Sequence, residues 1–171
     1  KEISERLREE LDYEQEARHM ALFAEALKAE KQIHIPRVVP ELSTRRLLTM
    51  NWLEGQPLLD FREADLETRN TIALTMFRTW YVPFYSAGVI HGDPHLGNYS
   101  VRPDLGINLL DFGCVRGFEA KFVQGVIDLY RAIRDGDRDL AVHAYETWGF
   151  TGLSSEVIET EGLYDSVAEV G

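Results

Sequence analysis

The chain has 171 residues, enough for one domain or for one and a half lobes of a larger one. Its apolar share of 44% is ordinary for a globular protein and excludes a disordered chain. The net charge of −11, without a basic cluster that contains aromatic residues, argues against nucleic acid as a partner. No apolar run reaches the roughly eighteen residues of a membrane helix, so no span is predicted.

The single cysteine, Cys114, cannot form a disulfide within the chain, which is typical of proteins in a reducing compartment. We therefore expect a cytoplasmic location. The chain has no charged-then-apolar leader, and Lys1-Glu2-Ile3 already follows a helical pattern. We expect the chain to be a piece of a longer protein.

A long helix is the first predicted element, over residues 3–31, because its apolar residues recur three, four or six positions apart. Pro36 and Pro40 then bracket a short extended stretch. Ser43-Thr44 is typical of a turn, and residues 46–53 are apolar and aromatic enough for a strand. Two short strands joined by a turn predict a β-hairpin.

Gly55-Gln56-Pro57 interrupts the pattern, and we place a lobe boundary there. The next predicted element is a helix from Leu66 to Ser86, with Pro83 at a kink or in its last turn and Gly88 as its C-cap. This order predicts an α+β fold in which helix dominates the second half. The remaining predicted elements are short strands within 89–101 and at 106–110, and helices at about 119–134, 138–148 and 154–170.

The residues that carry candidate chemistry lie in one loop and one turn. The loop, residues 91–98, reads His-Gly-Asp-Pro-His-Leu-Gly-Asn, and Asp111-Phe112-Gly113 begins thirteen positions after Asn98. Two carboxylates and an amide at this separation suit Mg²⁺ held on nucleotide phosphates, since Mg²⁺ prefers oxygen ligands. Asp93 and Asn98 have the spacing of a kinase catalytic loop, in which the aspartate accepts a proton and the asparagine binds metal.

Other interpretations of the same residues remain open. Asp93, Asn98 and Asp111 could be turn residues only, because aspartate and asparagine favour turns. His91, Asp93 and His95 could together bind a transition metal, although no further histidine cluster completes the ligand set. We expect His91 to be a structural hydrogen-bonding residue and His95 to tether the backbone.

Three motifs, in order along the chain, resemble the ABC1/UbiB/ADCK family of atypical kinases. The loop at residues 91–98 resembles that family's His-x-Asp-Pro-His-Pro-Gly-Asn loop, with Leu96 in place of the second proline. Residues 10–17, Glu-Leu-Asp-Tyr-Glu-Gln-Glu-Ala, resemble its Glu-x-Asp signature and C-helix glutamate. Residues 47–55 resemble its strand and hinge. The resemblance covers the chain from about residue 3 to residue 148.

The resemblance implies a protein-kinase-like fold with ATP and Mg²⁺ as cofactors. Residues 1–54 would form a partial N-lobe with the C-helix, a β-hairpin and the hinge, and residues 55–171 a mainly helical C-lobe. The family's alanine-rich loop, strand lysine and Lys-x-Gly-Gln element have no counterpart in the chain, so we expect the chain alone to bind ATP poorly. The replacement of proline by Leu96 is expected to loosen the catalytic loop.

The resemblance also implies roles for single residues. Asp93 would be the catalytic aspartate, in a loop that includes His91 and His95. Asn98 and Asp111 would hold Mg²⁺.

In the N-lobe, the resemblance implies that Glu16 pairs with the nucleotide-positioning lysine. Glu10 and Asp12 would face the Lys-x-Gly-Gln element. On an ideal helix Asp12 and Glu16 lie one turn apart on the same face, whereas Glu10 projects about 160° away from Asp12. One pocket does not easily take all three side chains, so we expect at least one of them to serve a neighbouring element. Backbone hydrogen bonds to adenine would come from Asn51, Trp52 and Leu53.

The function implied by the resemblance is Mg²⁺-dependent phosphoryl transfer or ATP hydrolysis linked to ubiquinone or other prenyl-lipid metabolism. Lipid or quinone-pathway proteins would be the partners, and peripheral membrane contact of the full-length protein is an expectation from the family alone. Two alternatives stay open. One is a small-molecule phosphotransferase of the aminoglycoside or choline kinase type, which shares a His-Gly-Asp-x-His-x-x-Asn loop. The other is a nucleotide-binding pseudokinase that acts as a scaffold.

Overall fold

The structure is a computed structural model that describes residues 12–150 and residue 152. Glu10 and the helix predicted at 154–170 therefore lie outside the described residues. The chain divides into two compact units after Gly117. The predicted division into lobes at residues 54 and 55 stays a prediction. Within the described part, no helix is long and apolar enough to cross a membrane.

Helix α1 spans Tyr13–Ala26 and begins at a side-chain cap. The carboxylate of Asp12 accepts a hydrogen bond from the Gln15 N–H at 3.3 Å. This bond satisfies one of the backbone donors that a first helical turn leaves free. Met20 and Phe23 are the buried residues of the helix, so they define its inner face.

The predicted end of this helix at residue 31 is wrong, and a long-range ion pair explains the difference. The chain leaves the helix after Ala26 and places the Glu30 carboxylate against Arg78, with hydrogen bonds of 2.7 Å to Nε and to Nη2. These bonds hold the pKa of Glu30 below its ordinary value. Residues 28–31 are good helix formers, so a tertiary contact outweighs local propensity here.

Helix α2, Leu66–Ala87, confirms the prediction to within one residue. Asp65 caps its first turn by accepting the Thr68 N–H at 2.9 Å. Gly88 ends it in the left-handed conformation, with φ 65°, which glycine adopts without strain. Pro83 lies inside the helix, four residues before its end.

The strand predicted at residues 46–53 is wrong as a continuous strand. Two segments here do pair antiparallel, but through isolated bridges such as the one from Val38 to Met50. A side chain interrupts the ladder, because the Ser43 hydroxyl oxygen accepts the Thr49 N–H at 3.0 Å in place of a backbone carbonyl. The predicted hairpin is therefore present in a looser form.

Six short strands surround the loop and the turn that carry the candidate chemistry. They are β1 Ile33–His34, β2 Gln56–Pro57, β3 Val89–His91, β4 Tyr99–Val101, β5 Ile107–Leu109 and β6 Val115–Gly117. Four of them form a sheet in the order β1-β5-β4-β2, in which only the β1–β5 pair is parallel. Strands β3 and β6 pair antiparallel in a second sheet.

This pairing places the loop beside the turn. The loop joins β3 to β4 and the turn joins β5 to β6, while β3 pairs with β6 and β4 pairs with β5. Both connections therefore run between the same two sheets, side by side. The Leu110 N–H donates to the Asn98 carbonyl at 2.9 Å and ties the two connections together.

The core of the first unit combines α1, α2 and alternate side chains of β4 and β5. Alternation along a strand puts neighbouring residues on opposite faces, so the polar residues of β4 and β5 point away from this core. The core residues with no exposed surface are Phe23, Val101, Ile107, Leu109 and Phe112.

Asn108, on the opposite face of β5, is a buried polar anchor for the segment predicted to be the hinge. Its Nδ2 donates to the Glu54 carbonyl at 3.0 Å and to the Ser100 hydroxyl oxygen at 2.9 Å. Gly55 packs so closely here that a Cβ would lie 2.5 Å from the Ser100 hydroxyl oxygen. The hinge segment is thereby fixed to the sheet that leads to Asp111.

The second unit contains two described helices, α3 Ala120–Asp135 and α4 Arg138–Thr147. Both match their predicted bounds to within one residue. Gly136 ends α3 in the left-handed conformation, with φ 70°, and Asp137 caps α4 by accepting the Leu140 N–H at 3.0 Å. Local capping residues therefore fix both helix ends.

Candidate functional site

Asp93 organises the loop that joins β3 to β4. Its Oδ1 accepts the His95 N–H at 3.2 Å, and its Oδ2 accepts an Nδ2–H of Asn98 at 2.9 Å. The bond from Asn98 is the largest cause that lowers the pKa of Asp93, and the bond from the His95 N–H adds to it. Asp93 is therefore an anion at neutral pH.

The same contact fixes the direction of the Asn98 side chain. A carboxylate accepts hydrogen bonds and cannot donate them, so the amide nitrogen must face Asp93. The amide oxygen must then point away from Asp93. The Asn98 backbone is also tied to Leu110, the residue before Asp111, so Asn98 lies where the loop and the turn run together.

His91 links the loop to the turn. Its ring is buried, its Nδ1 accepts the Asp93 N–H at 3.3 Å, and its Nε2 hydrogen-bonds the Asp111 carbonyl oxygen. A carbonyl oxygen only accepts, so the neutral ring carries its proton on Nε2. Both ring nitrogens are thus engaged, which is the structural role expected for His91.

These contacts do not support the alternative of a transition-metal site at His91, Asp93 and His95. His91 has no ring nitrogen left for a metal. Across residues 12–150, no group of three or more histidine, cysteine, aspartate or glutamate side chains could hold a metal ion.

His95 builds the short 3-10 turn Leu96–Asn98 inside the loop. Its Nδ1 accepts the Gly97 N–H at 3.1 Å, which caps the turn. His95 therefore tethers the backbone, as the sequence predicts. Leu96 is the first residue of the turn, and its side chain is half exposed.

The Asp111 carboxylate is held by its own turn. Its Oδ1 accepts the Gly113 N–H at 2.9 Å, so one oxygen is fixed by the backbone and Oδ2 is left for other partners. Phe112 anchors the turn, because its ring is fully buried and contacts the rings of Phe23 and His91 at centroid distances of 5.4 and 5.9 Å.

Glu16, on α1, lies against the same turn. Its Oε1 accepts the Phe112 N–H at 3.2 Å. Burial raises the pKa of Glu16 most, and the nearby charge of Asp111 raises it further. No lysine or arginine within residues 12–150 forms an ion pair with Glu16. The neighbouring carboxylates of Glu16 and Asp111 therefore favour the binding of a cation beside them.

The donor atoms beside the turn fit Mg²⁺. The amide oxygen of Asn98 and the Oδ2 of Asp111 are hard oxygen donors, and Mg²⁺ is usually held by one or two such groups together with phosphate oxygens and water. Each of these side chains is oriented by a hydrogen bond that uses its other polar atom.

A cleft of about 380 Å³ connects the predicted hinge with the loop. Its lining includes residues 51–53 of the hinge, Leu96 and Gly97 of the loop, and Leu110, which precedes Asp111. A cleft of this size with a mostly apolar lining suits a flat ring system.

Hydrogen bonds within the chain already occupy some of the backbone groups of the predicted hinge, so fewer of them are available to a ligand. The Asn51 N–H donates to the Arg37 carbonyl at 3.1 Å, and the Asn51 Nδ2 donates to the Trp52 carbonyl at 3.1 Å. The Asn51 N–H is therefore engaged. The Asn51 carbonyl, the backbone of Trp52, whose carbonyl can accept a second bond, and the backbone of Leu53 remain as predicted contacts.

Asp12 serves neighbouring elements within this chain, since it caps α1 and its Oδ2 lies 3.7 Å from the Arg45 Nε. Its predicted approach to a Lys-x-Gly-Gln element stays a prediction. Glu10 lies outside the described residues.

His19 is a residue of the site that the sequence patterns did not single out. Its Nδ1 lies 3.0 Å from the Phe112 carbonyl oxygen. Its position three residues after Glu16 puts both side chains on one face of the helix, and this was the only local signal. Nothing in the neighbouring sequence indicates that this face meets a residue 93 positions later.

The loop and the turn have the spacing of a protein-kinase-like domain, on a mixed α+β fold. Comparison with known families narrows this class. The chain belongs to the ABC1 family, because the ABC1 atypical kinase-like domain matches residues 1–145. This confirms the resemblance that the three sequence motifs carry.

Curated relatives agree with this assignment. The mitochondrial atypical kinase COQ8B of Danio rerio is 31% identical over 152 residues, which are 88% of this chain and 24% of the relative. The mitochondrial atypical kinase COQ8 of Saccharomyces cerevisiae is 31% identical over 168 residues, 96% of this chain and 33% of the relative. The chain therefore spans only about a quarter to a third of the length of these relatives.

A solved structure shares the fold. The structure of Rv3197 from Mycobacterium tuberculosis in complex with erythromycin aligns with a TM-score of 0.73 and 29% identity, and the match covers 98% of this chain and 43% of that one. The macrolide is a ligand of Rv3197. The likeness supports the mixed α+β, kinase-like fold of the described residues.

Replacing Leu96 with proline is expected to stabilise the fold by about 0.4 to 1 kcal/mol, because the ring restricts the unfolded chain. His95 has φ −60° and ψ 128°, which suits a residue before proline. The hydrogen bonds of this loop use the N–H groups of His95, Gly97 and Asn98, so the ring removes none of them. Urea unfolding of Leu96→Pro measures the effect.

Leu96→Ala is the matched control, since it removes the side chain without adding the ring. A Leu96→Pro chain that is no more stable than Leu96→Ala would show that the loop does not accept a proline here.

Replacing Glu16 with glutamine is expected to raise the thermal unfolding midpoint of this chain at pH 7. The raised pKa of Glu16 means that the folded state prefers its neutral form. The stability that this shift contributes is therefore fully present at a pH below the pKa of Glu16 in the unfolded chain. It is lost as the pH rises through the pKa of Glu16 in the folded chain. Glutamine stays neutral and can still accept the Phe112 N–H, so its advantage should vanish in acid.

Glu14→Gln removes the same charge from an exposed position on the same helix. It should not raise the midpoint, because an exposed acidic residue in a first helical turn is favourable. Glu16 lies in the same turn, but there the burial of its charge is the larger effect. Glu16→Gln at or below the wild-type midpoint at pH 7 would contradict the buried-charge interpretation.

Proposed function

We propose that the full-length protein binds Mg-ATP and either transfers or hydrolyses its terminal phosphate. One observation carries the proposal. The pairing of β3 with β6 and of β4 with β5 brings the Asp93–Asn98 pair beside the Asp111 turn, next to a cleft lined by the predicted hinge.

The cleft supports a direction for the nucleotide. Adenine would lie against the hinge, with the Trp52 carbonyl and the Leu53 backbone as hydrogen-bonding groups. The phosphates would then extend towards the loop and the turn, since Leu96 and Leu110 line the same cleft. Asn98 and Asp111 would hold Mg²⁺, which supplies charge neutralisation and positioning of the phosphate oxygens when bound.

Asp93 is suited to orient a nucleophile. Its lowered pKa keeps it anionic at neutral pH, so it can accept a hydrogen bond from a hydroxyl group or a water. Its carboxylate is fixed in direction by the amide of Asn98 and the N–H of His95. Phosphoryl transfer depends mainly on such positioning and on charge stabilisation.

Membership of the ABC1 family and the identity to COQ8 kinases support a link to ubiquinone or another prenyl lipid, with lipid or quinone-pathway proteins as partners. The COQ8 relatives are named as mitochondrial, and a relative from Arabidopsis thaliana, Activity of BC1 Complex Kinase 1, as chloroplastic. The cytoplasmic location and the peripheral membrane contact expected from the sequence stay predictions.

Asp111→Asn in the full-length protein is expected to remove the Mg²⁺-dependent part of the stabilisation by ATP. A ligand at a hundredfold its dissociation constant stabilises a protein by about 2.7 kcal/mol, so wild type should show a clear rise in melting temperature. Thermal unfolding with ATP, with and without Mg²⁺, separates the metal-dependent part.

Asp104→Asn is the control, because it removes the same charge at the turn between β4 and β5 and keeps an oxygen for the Gly106 N–H. Its response to Mg-ATP should equal that of wild type. A full Mg-ATP response in Asp111→Asn would show that Asp111 does not hold the metal.

Asp93→Ala is expected to lose ATP turnover and to keep nucleotide binding. In the proposed arrangement Asp93 faces the attacking nucleophile, whereas adenine is bound by the hinge. Turnover measured by phosphate release and binding measured by thermal shift distinguish the two effects. If wild type turns over ATP no faster than Asp93→Ala, the pseudokinase scaffold is the better description. Transfer to an aminoglycoside or choline would instead favour the small-molecule phosphotransferase.

A further inference from the structure

We propose that His19 is a positioning residue for the Asp111 turn, through its hydrogen bond to the Phe112 carbonyl, and that Gln15 sets the direction of that bond. The inference rests on the proposed function of the turn as the element that holds Mg²⁺. His19 lies outside the loop at residues 91–98 and outside the Asp111 turn, and no sequence motif assigns it a role.

Four hydrogen bonds hold the two peptide groups on either side of Phe112. The first peptide group is bound at its Asp111 carbonyl by His91 and at its Phe112 N–H by Glu16. The second is bound at its Phe112 carbonyl by His19 and at its Gly113 N–H by the Asp111 carboxylate. Each peptide plane is thus fixed at both ends.

The second peptide group is the one that directs the Asp111 side chain. Its Gly113 N–H holds the Asp111 Oδ1 at 2.9 Å, and its carbonyl, at the opposite end of the same plane, lies 3.0 Å from the His19 Nδ1. A peptide that precedes glycine rotates easily, because glycine tolerates conformations that other residues avoid. Without the bond to His19, the plane could rotate and release the carboxylate oxygen.

Gln15 determines which ring nitrogen of His19 carries the proton. The Gln15 Oε1 accepts a bond from the Arg18 guanidinium at 2.7 Å, so its amide nitrogen is the group that faces the His19 Nε2 at 3.0 Å. An amide nitrogen only donates, and the His19 Nε2 must therefore accept. The proton then lies on Nδ1, which makes that nitrogen the donor to the Phe112 carbonyl.

The spacing on α1 makes the arrangement possible. Gln15 and His19 are four residues apart, and Glu16 and His19 three, so the side chains lie on adjacent ridges of one helix face. Glu16 and His19 reach the N–H and the carbonyl of the same residue. A helix that holds both polar groups of Phe112 fixes the turn more firmly than either bond alone.

The test compares two substitutions of His19 in the full-length protein. His19→Leu removes both ring nitrogens. His19→Asn keeps an N–H donor at the position of Nδ1, because the asparagine Nδ2 is also bonded to Cγ. We expect His19→Leu to raise the Mg²⁺ concentration for half-maximal ATP turnover about fivefold to tenfold, the factor that corresponds to one ordinary hydrogen bond. His19→Asn should stay within about twofold of wild type.

Gln15→Leu provides a second measurement with His19 in place. The ring is then free to adopt the other tautomer part of the time, so we expect a smaller shift in the same direction, about twofold to threefold. His143→Leu, the same replacement on α4 in the second unit, should leave the Mg²⁺ dependence unchanged. A role of His19 in stability alone would lower the melting temperature and leave the Mg²⁺ dependence at the wild-type value.

The outcomes separate the two levels of the proposal. In one outcome, ATP turnover by the wild type requires Mg²⁺, and Gln15→Leu and His19→Leu show the same Mg²⁺ dependence as the wild type. This would overturn the role of His19 and leave the proposed function standing. An equal defect in His19→Asn and His19→Leu would also overturn it. Wild-type protein that neither binds nor turns over ATP in a Mg²⁺-dependent way would overturn the proposed function and this inference together.

Discussion

The burial of Phe112 is the constraint on which the rest of the site depends. Its ring sits in the core against Phe23 and His91, and the carboxylate of the preceding residue must then lie at the surface of that core. Backbone N–H and carbonyl groups brought so deep require partners, since an unpaired buried group is unfavourable. Side chains of α1 and of the loop at residues 91–98 supply partners and so connect three distant segments.

Strand pairing explains why these segments meet. Strands of two or three residues are too short to be stable alone, and each is held by the core beneath it or by its neighbour. Because β3 pairs with β6 and β4 with β5, the loop and the turn must lie between the same sheets. The segment predicted to be the hinge is joined to the same sheet through Asn108, which donates to the Glu54 carbonyl. The cleft is a consequence of this pairing.

Features determined by neighbouring residues could be predicted from the sequence, and features determined by distant ones could not. Helix α2 was predictable because Asp65 and Gly88 cap it locally. The end of α1 was not, since Glu30 turns towards Arg78, 48 residues away. In the site, the spacing of Asp93 and Asn98 indicated that both belong to one functional loop, in which the structure shows their contact. The bond from His19 to Phe112 has no signature in either segment.

The carboxylates of the site have opposite environments, and this difference indicates separate tasks. Hydrogen bonds lower the pKa of Asp93, so its charge is stabilised by the loop itself. Burial and the charge of Asp111 raise the pKa of Glu16, so its charge is unfavourable until a cation approaches. Carboxylates with pKa values shifted in opposite directions are typical of catalytic sites. At neutral pH the folded chain is therefore less stable with the charged Glu16 than it would be with a neutral residue of the same shape at this position.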